Sequence, residues 1–183
     1  MKGLFCAVLA LAAATPADAA HWTVDTAHSK LGFTVQWSKE PFAASFKSWK
    51  ATIDFDPADL AHAKADVTVE LASEASDEAD FDDGLKSSLG FATAQFPAAH
   101  FIATGFTHKA GDAYVATGSL TLRGVTRPVT LPFTLTVAGK TAHMVGNASV
   151  VRTDFGVGQG MWAGDDPVAH AVTVTVDLTA TRE

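Results

Sequence analysis

The chain has 183 residues, 48% of them hydrophobic, and sets 13 Lys and Arg against 20 Asp and Glu for a formal charge of −7. With 18% of residues charged, it carries too much apolar side chain for a disordered polymer and enough length for one domain with a buried core. No basic cluster offsets the acids, so a nucleic-acid-binding face is excluded.

The chain begins with the short basic Met1-Lys2-Gly3, an apolar run from Leu4 to Ala14 and the small-x-small pattern Ala17-Asp18-Ala19. This reads as a cleaved secretory signal peptide, residues 1–19, which leaves one domain at 20–183 and predicts a periplasmic protein. As a helix the run rises only about 16 Å, roughly half a bilayer's hydrocarbon core, too short for an anchor. The single cysteine, Cys6, leaves with the signal, so disulfide, Cys-ligated metal and Cys-nucleophile chemistry are not expected of the mature chain.

Past the signal, Leu31, Phe33, Val35 and Trp37 alternate with Gly32, Thr34 and Gln36, the period of a half-buried strand. A second strand reads from Phe42 to Phe55. Its Phe46 and Trp49 differ in parity, and a bulge near Lys47-Ser48 reconciles them and lets Ala51, Ile53 and Phe55 continue one face. Ala65 to Leu71 follows as strand. Between 77 and 92 the rhythm changes: Phe81, Leu85 and Leu89 recur at a spacing of four, which predicts an amphipathic helical insertion. The acids from Glu74 to Asp83 read as its solvated face, lying toward the positive end of the helix.

Strands resume from His100 to His108 and from Ala113 to Leu122, parted by the turn Lys109-Ala110-Gly111-Asp112. After the tight corner Arg123-Gly124, one face carries Val125, Val129, Leu131, Phe133, Leu135 and Val137 and the other Thr126, Thr130, Thr134 and Thr136; only Arg127 interrupts the apolar face. Pro128 and Pro132 lie on the Thr face and remove two ladder donors, the mark of an edge, a seam or a strong bend. Beyond Ala138-Gly139-Lys140 come a strand from Thr141 to Arg152 and a last run with Val168, Val172, Val174, Val176 and Leu178 on one face. About eight antiparallel strands either close as a barrel or stack as a sandwich. Closure removes both edges, and the interior of a small barrel is filled by side chains or holds one ligand.

Three stretches go beyond strand statistics: Val24-Asp25-Thr26-Ala27-His28-Ser29, the corner from Gly118 through Arg123-Gly124 to Thr130, and Arg152-Thr153-Asp154-Phe155-Gly156-Val157-Gly158-Gln159-Gly160 before Trp162. Together with Phe55-Asp56-Pro57, Leu85-Lys86-Ser87 and Phe96-Pro97-Ala98-Ala99-His100-Phe101, they resemble the YceI-like polyisoprenoid-binding family from about Trp22 to Ala180. The resemblance implies an all-β fold, a single extended antiparallel, lipocalin-like barrel that holds a long isoprenoid or other amphiphilic lipid. It implies no catalytic residue and no cofactor, with a bound lipid or isoprenoid quinone as ligand. Where many relatives have a His-Leu-Gly stretch, this chain has Gln36-Trp37-Ser38-Lys39-Glu40-Pro41. The segment from Arg152 to Gly160 resembles a branch found beside or fused to cytochrome b561-type membrane proteins, which makes such a protein a candidate partner.

The expected lumen wall comprises Phe33, Val35, Trp37, Phe42, Phe46, Leu131, Phe133, Leu135, Val172, Val174 and Val176, with Phe81, Leu85 and Leu89 covering a mouth. Lys86, Arg127 and Arg152 are candidates to meet a phosphate head group, with Asp154 a rival partner for Arg152. None of the seven histidines sits at a metal-ligand spacing such as His-x-x-x-His, and no metal is expected. His28 reads as a residue fixing the turn into the first long strand. No Gly-x-Ser-x-Gly elbow occurs, and Gly158-Gln159-Gly160 lacks the strand and helix of a phosphate-binding loop, so an enzyme is not expected.

Overall fold

The computed structural model describes residues 20–183. The expected signal peptide, residues 1–19, and Cys6 lie outside them. The elements in order are β1 (His21–Val24), β2 (Lys30–Trp37), β3 (Glu40–Phe46), β4 (Trp49–Asp54), β5 (Lys64–Glu70), β6 (Glu74–Ala75), α1 (Ala79–Lys86), β7 (Ala98–His108), β8 (Ala113–Leu122), β9 (Val125–Ala138), β10 (Thr141–Val151) and β11 (Val168–Arg182).

These strands form eight staves, because three of the staves are broken in the middle. β1 and β2 lie in line against β11, at Ala180–Arg182 and Val168–Asp177 respectively. β3 and β4 continue the next stave, and β5 and β6 the one after, through the pairs β2–β3, β1–β4, β4–β5 and β3–β6. β7 to β11 follow as simple antiparallel neighbours, and the β1–β11 pairing closes the ring. The fold is therefore a closed eight-stranded antiparallel barrel with one helix, and the sandwich alternative drops out.

Each break has a local cause. At the first, the Asp25 carboxylate accepts from the Ala27 and His28 amides and lies 2.7 Å from His28 Nδ1, while Ser29 Oγ donates to Asp25 O. The side chain stands in for ladder partners, as N-cap residues do. The second and third breaks lie side by side: Lys47 N–H donates to Ser73 O and Ser48 N–H to Ser73 Oγ. The irregularity at Lys47-Ser48 turns both Phe46 and Trp49 inward. The tight corner between β8 and β9 has positive φ at both residues, 50° at Arg123 and 74° at Gly124, the geometry of a two-residue hairpin turn whose twist matches its strands.

The helix is shorter than the 77–92 pattern predicts. Beyond Lys86, Ser87 Oγ donates to Gly84 O and Phe91 N–H folds back onto Leu85 O at 2.6 Å, so Leu89 lies in a turn. The run of acids is not uniformly solvated either. Glu74 belongs to β6 and is 1% exposed.

The ring is zipped unevenly. The β9–β10 ladder runs from Ala138↔Thr141 to Phe133↔Gly146 and stops there, one residue before Pro132. Leu135 N–H donates to Asp112 O beside β8, so along β9 the odd residues direct their N–H to β8 and the even ones to β10. Pro128 and Pro132 are even, and the donors they lack are those that β10 would have used. Of the edge, seam or bend marked by the two prolines, the structure has the seam, an unpaired stretch between β9 and β10.

Candidate functional site

The inward side chains of all eight staves enclose a cavity of about 290 Å³. Its lining runs from Trp22, Phe55 and Ala180 at one end to Leu85, Phe91 and Val168 at the other, and among the described residues Arg152 is its one charged member. The volume lies at the lower edge of the range for ligand pockets, about 300–1,000 Å³. β11 contributes lining residues from Val168 to Ala180.

One end is shut by strand pairing and a nest of rings. Phe55 packs on Phe106, Tyr114 and Phe133 with centroids 5.5, 5.7 and 6.3 Å apart, and Trp22 Nε1–H donates to Phe55 O at 2.8 Å. The other end is shut by α1 and two loops. Phe81 of α1 lies against Trp37 (4.4 Å) and Phe42 (5.2 Å), which stand on adjacent strands at the rim. Trp162 lies against Gly84, where an added Cβ would come within 2.8 Å of its ring, so the helix needs glycine there. Below this cover, Phe33, Phe46 and Phe91 form a triangle of rings with centroids 5.9 to 6.3 Å apart.

Of the expected wall, Phe33, Val35, Phe46, Leu85, Leu131, Phe133, Leu135, Val172, Val174 and Val176 line the cavity. Trp37, Phe42, Phe81 and Leu89 do not line it. The first three make the cover, and the carbonyl of Leu89 receives the Gly158 and Gln159 amides, tying the turn after α1 to the loop after β10. Trp22, Trp49, Phe55, Phe91, Phe101 and Val157 line it too, and sequence reasoning passed them over. Phe91 and Val157 lie in turns, where no alternation marks an inward side chain.

The basic candidates have separate fates. Arg152 is 6% exposed and commits all five N–H donors to backbone carbonyls: Nε to Ala169 O, Nη1 to Val157 O and Gly158 O, and Nη2 to Gly164 O and Val168 O, at 2.7 to 3.3 Å. Asp154 is not its partner. Burial lowers the Arg152 pKa from its usual value, an effect the Asp165 charge opposes. Gly158, at φ 79°, leaves the guanidinium its space: an added Cβ would collide with Nη1. Arg127, although opposite the cavity-lining Leu120, is exposed and donates to Thr126 O. Lys86 ends α1, and its charge pulls down on the Glu74 pKa.

Two residues that sequence reasoning did not single out lie at the cover. Arg123 Nη1 donates to Ser88 O and Gly90 O, at 2.9 and 2.5 Å, fixing the turn after α1. Glu74 lies under α1 with neither carboxyl oxygen receiving a donor. Burial first, and then the Asp82 charge, push its pKa up to about 7 against the pull of Lys86. Among the described residues, no three His, Asp or Glu side chains converge as a metal site.

A sequence profile of the YceI-like domain matches residues 22–180. A UPF0312 protein of Shewanella denitrificans is 33% identical over 153 residues, covering 78% of this chain and 80% of its own. The crystal structure of Burkholderia cenocepacia BcnA superposes with a TM-score of 0.84 at 31% identity, covering 87% of this chain and all of that one. A polyisoprenoid-binding domain from Saccharophagus degradans, implicated in plant cell wall breakdown, shares the fold at a TM-score of 0.68 and 12% identity, over 88% of this chain and 98% of its own.

Proposed function

The chain belongs to the YceI-like domain family, and from that premise we propose that it is a non-catalytic periplasmic carrier holding a long-chain isoprenoid lipid in the barrel lumen. The observation that carries this reading is the cavity inside the barrel, whose lining among the described residues is apolar throughout but for a guanidinium already satisfied by carbonyls. Such a lumen recognises chain rather than head. Each buried methylene contributes about 0.8 kcal/mol, so ten of them supply roughly 8 kcal/mol before ordering costs.

The geometry favours an uncharged head, as in an isoprenoid quinone, over a polyprenyl phosphate. Arg152 has no N–H left for a phosphate oxygen, Arg127 points to solvent, and the Lys86 charge is drawn on by the buried Glu74 carboxyl. The test is organic extraction of the purified secreted chain with mass spectrometry of the extract, alongside tryptophan quenching by ubiquinone-10. A co-purified isoprenoid and saturable quenching are expected. A lipid-free extract together with absent quenching would overturn the reading.

A second reading, an interaction module for a cytochrome b561-type membrane partner, draws on Met161. It is 77% exposed beside Trp162, at the end of the barrel where the cover lies. Partner capture that survives Leu131→Glu in the lumen but is lost in Met161→Asp would favour this role.

A further inference from the structure

The cover contains a group that the carrier reading does not use. Glu74 stands opposite Phe46 in the β3–β6 ladder, and directly opposed residues project to the same side of a sheet, the side on which Phe46 lines the cavity. Its carboxyl is therefore turned in beneath α1, 1% exposed, with both oxygens lacking a donor. A buried carboxylate in that position is costly, whereas the neutral acid carries its own O–H. The acceptor at hand is Asp82 of α1, whose carboxylate is held by Ser76 N–H at 3.0 and 3.2 Å and by Ser76 Oγ–H at 2.6 Å. The charged groups facing Glu74 are Asp82 and Lys86, both from α1, while β3 presents Phe46.

We propose that Glu74 and Asp82 are a proton-operated latch: one proton shared between the two carboxyls fastens α1 over the mouth of the lumen, and its loss frees the helix. Two carboxylates side by side cannot both ionise without repulsion, and one lysine does not neutralise both. The helix is only eight residues long, too short to persist without docking, so what loosens its attachment also loosens the helix.

The sign follows from linkage. Glu74 is shifted up when docked, from 4.5 to about 7, so the docked form keeps a proton that the freed form loses. Docking is strongest below pH 4.5, weakens by about tenfold per pH unit as pH approaches 7, and is level above it. Only the consequence for lipid release rests on the carrier reading; the latch itself does not.

Hydrogen exchange of the Ala79–Lys86 amides in the secreted chain, corrected for intrinsic rates and followed from pH 5 to pH 8, tests the latch. Protection is expected to fall by about tenfold per pH unit up to pH 7 and then to level. Glu74→Gln should keep the low-pH protection at every pH. Asp82→Asn, which removes the neighbouring anion, should move the break to lower pH. Constant wild-type protection, or a fall that persists in Glu74→Gln, overturns the latch. Should circular dichroism show that Glu74→Gln does not fold, an unmoved break in Asp82→Asn overturns it instead. The release rate of ubiquinone-10 is read in parallel: a pH-dependent helix in a protein that never holds ubiquinone-10 upholds the latch and removes the carrier reading.

Discussion

The two ends of the lumen are closed by different means. At the Trp22 end the backbone does the work: β1 pairs with both β4 and β11, and the rings of Phe55, Phe106, Tyr114 and Phe133 fill the space within. At the Trp37 end the ladder gives way to a helix and two loops held by side chains, among them Arg152 and Arg123, over the buried Glu74. Both buried charged residues of the described chain lie at this second end. A closure made of strand pairing opens only when the barrel unfolds, whereas one made of a few side-chain bonds and ring contacts opens locally. On the carrier reading, a lipid enters at the helix end.

Trp22→Ala should have the largest effect on the strand-closed end. It removes a 4% exposed indole and its bond to Phe55 O, and should lower global stability by about 3–5 kcal/mol in urea titration. A loss confined to local exchange would place the flexible end here instead. Next comes Arg152→Gln, which strands several buried carbonyls and should cost about 2–4 kcal/mol. Exchange should quicken first in 156–167 while the β7–β9 amides stay protected. Leu85→Ala removes a half-buried side chain that lines the cavity from the cover. It should lower stability by only about 1–2 kcal/mol yet speed the loss of ubiquinone-10 roughly fivefold. The smallest effect belongs to Arg127→Gln: stability within about 0.5 kcal/mol and unchanged retention of a polyprenyl phosphate relative to its alcohol. A selective loss of the phosphate would restore Arg127 as a head-group ligand.

Much of the wall was legible because a lumen imposes period two on every strand that borders it, as at Leu31–Trp37 and Val125–Val137. The closing strand β1 and the short β6, of four and two residues, are too brief to show alternation. Leu89 kept the helical spacing, but the chain turned at Ser87 before reaching it. Glu74 was hidden by its neighbours: an acid among acids reads as solvated, and only the pairing with Phe46 turns it inward. Arg152 suggested a local ion pair with Asp154. Its true partners are carbonyls of a loop that wraps back between Val157 and Ala169, a long-range fact with no local signature except the glycine at 158.

The unpaired stretch between β9 and β10 bears on behaviour at high concentration. A strand edge with free donors and acceptors templates the addition of another chain, the first step of edge-to-edge aggregation. Of the four even residues between Thr126 and Pro132 that face the gap, two are proline, so an incoming strand would find N–H groups only at Thr126 and Thr130, each followed two residues later by a ring that cannot donate. The prolines that unzip the barrel also leave the open edge a poor template, and Pro128→Thr with Pro132→Thr would trade that protection for either a longer ladder or a self-associating protein.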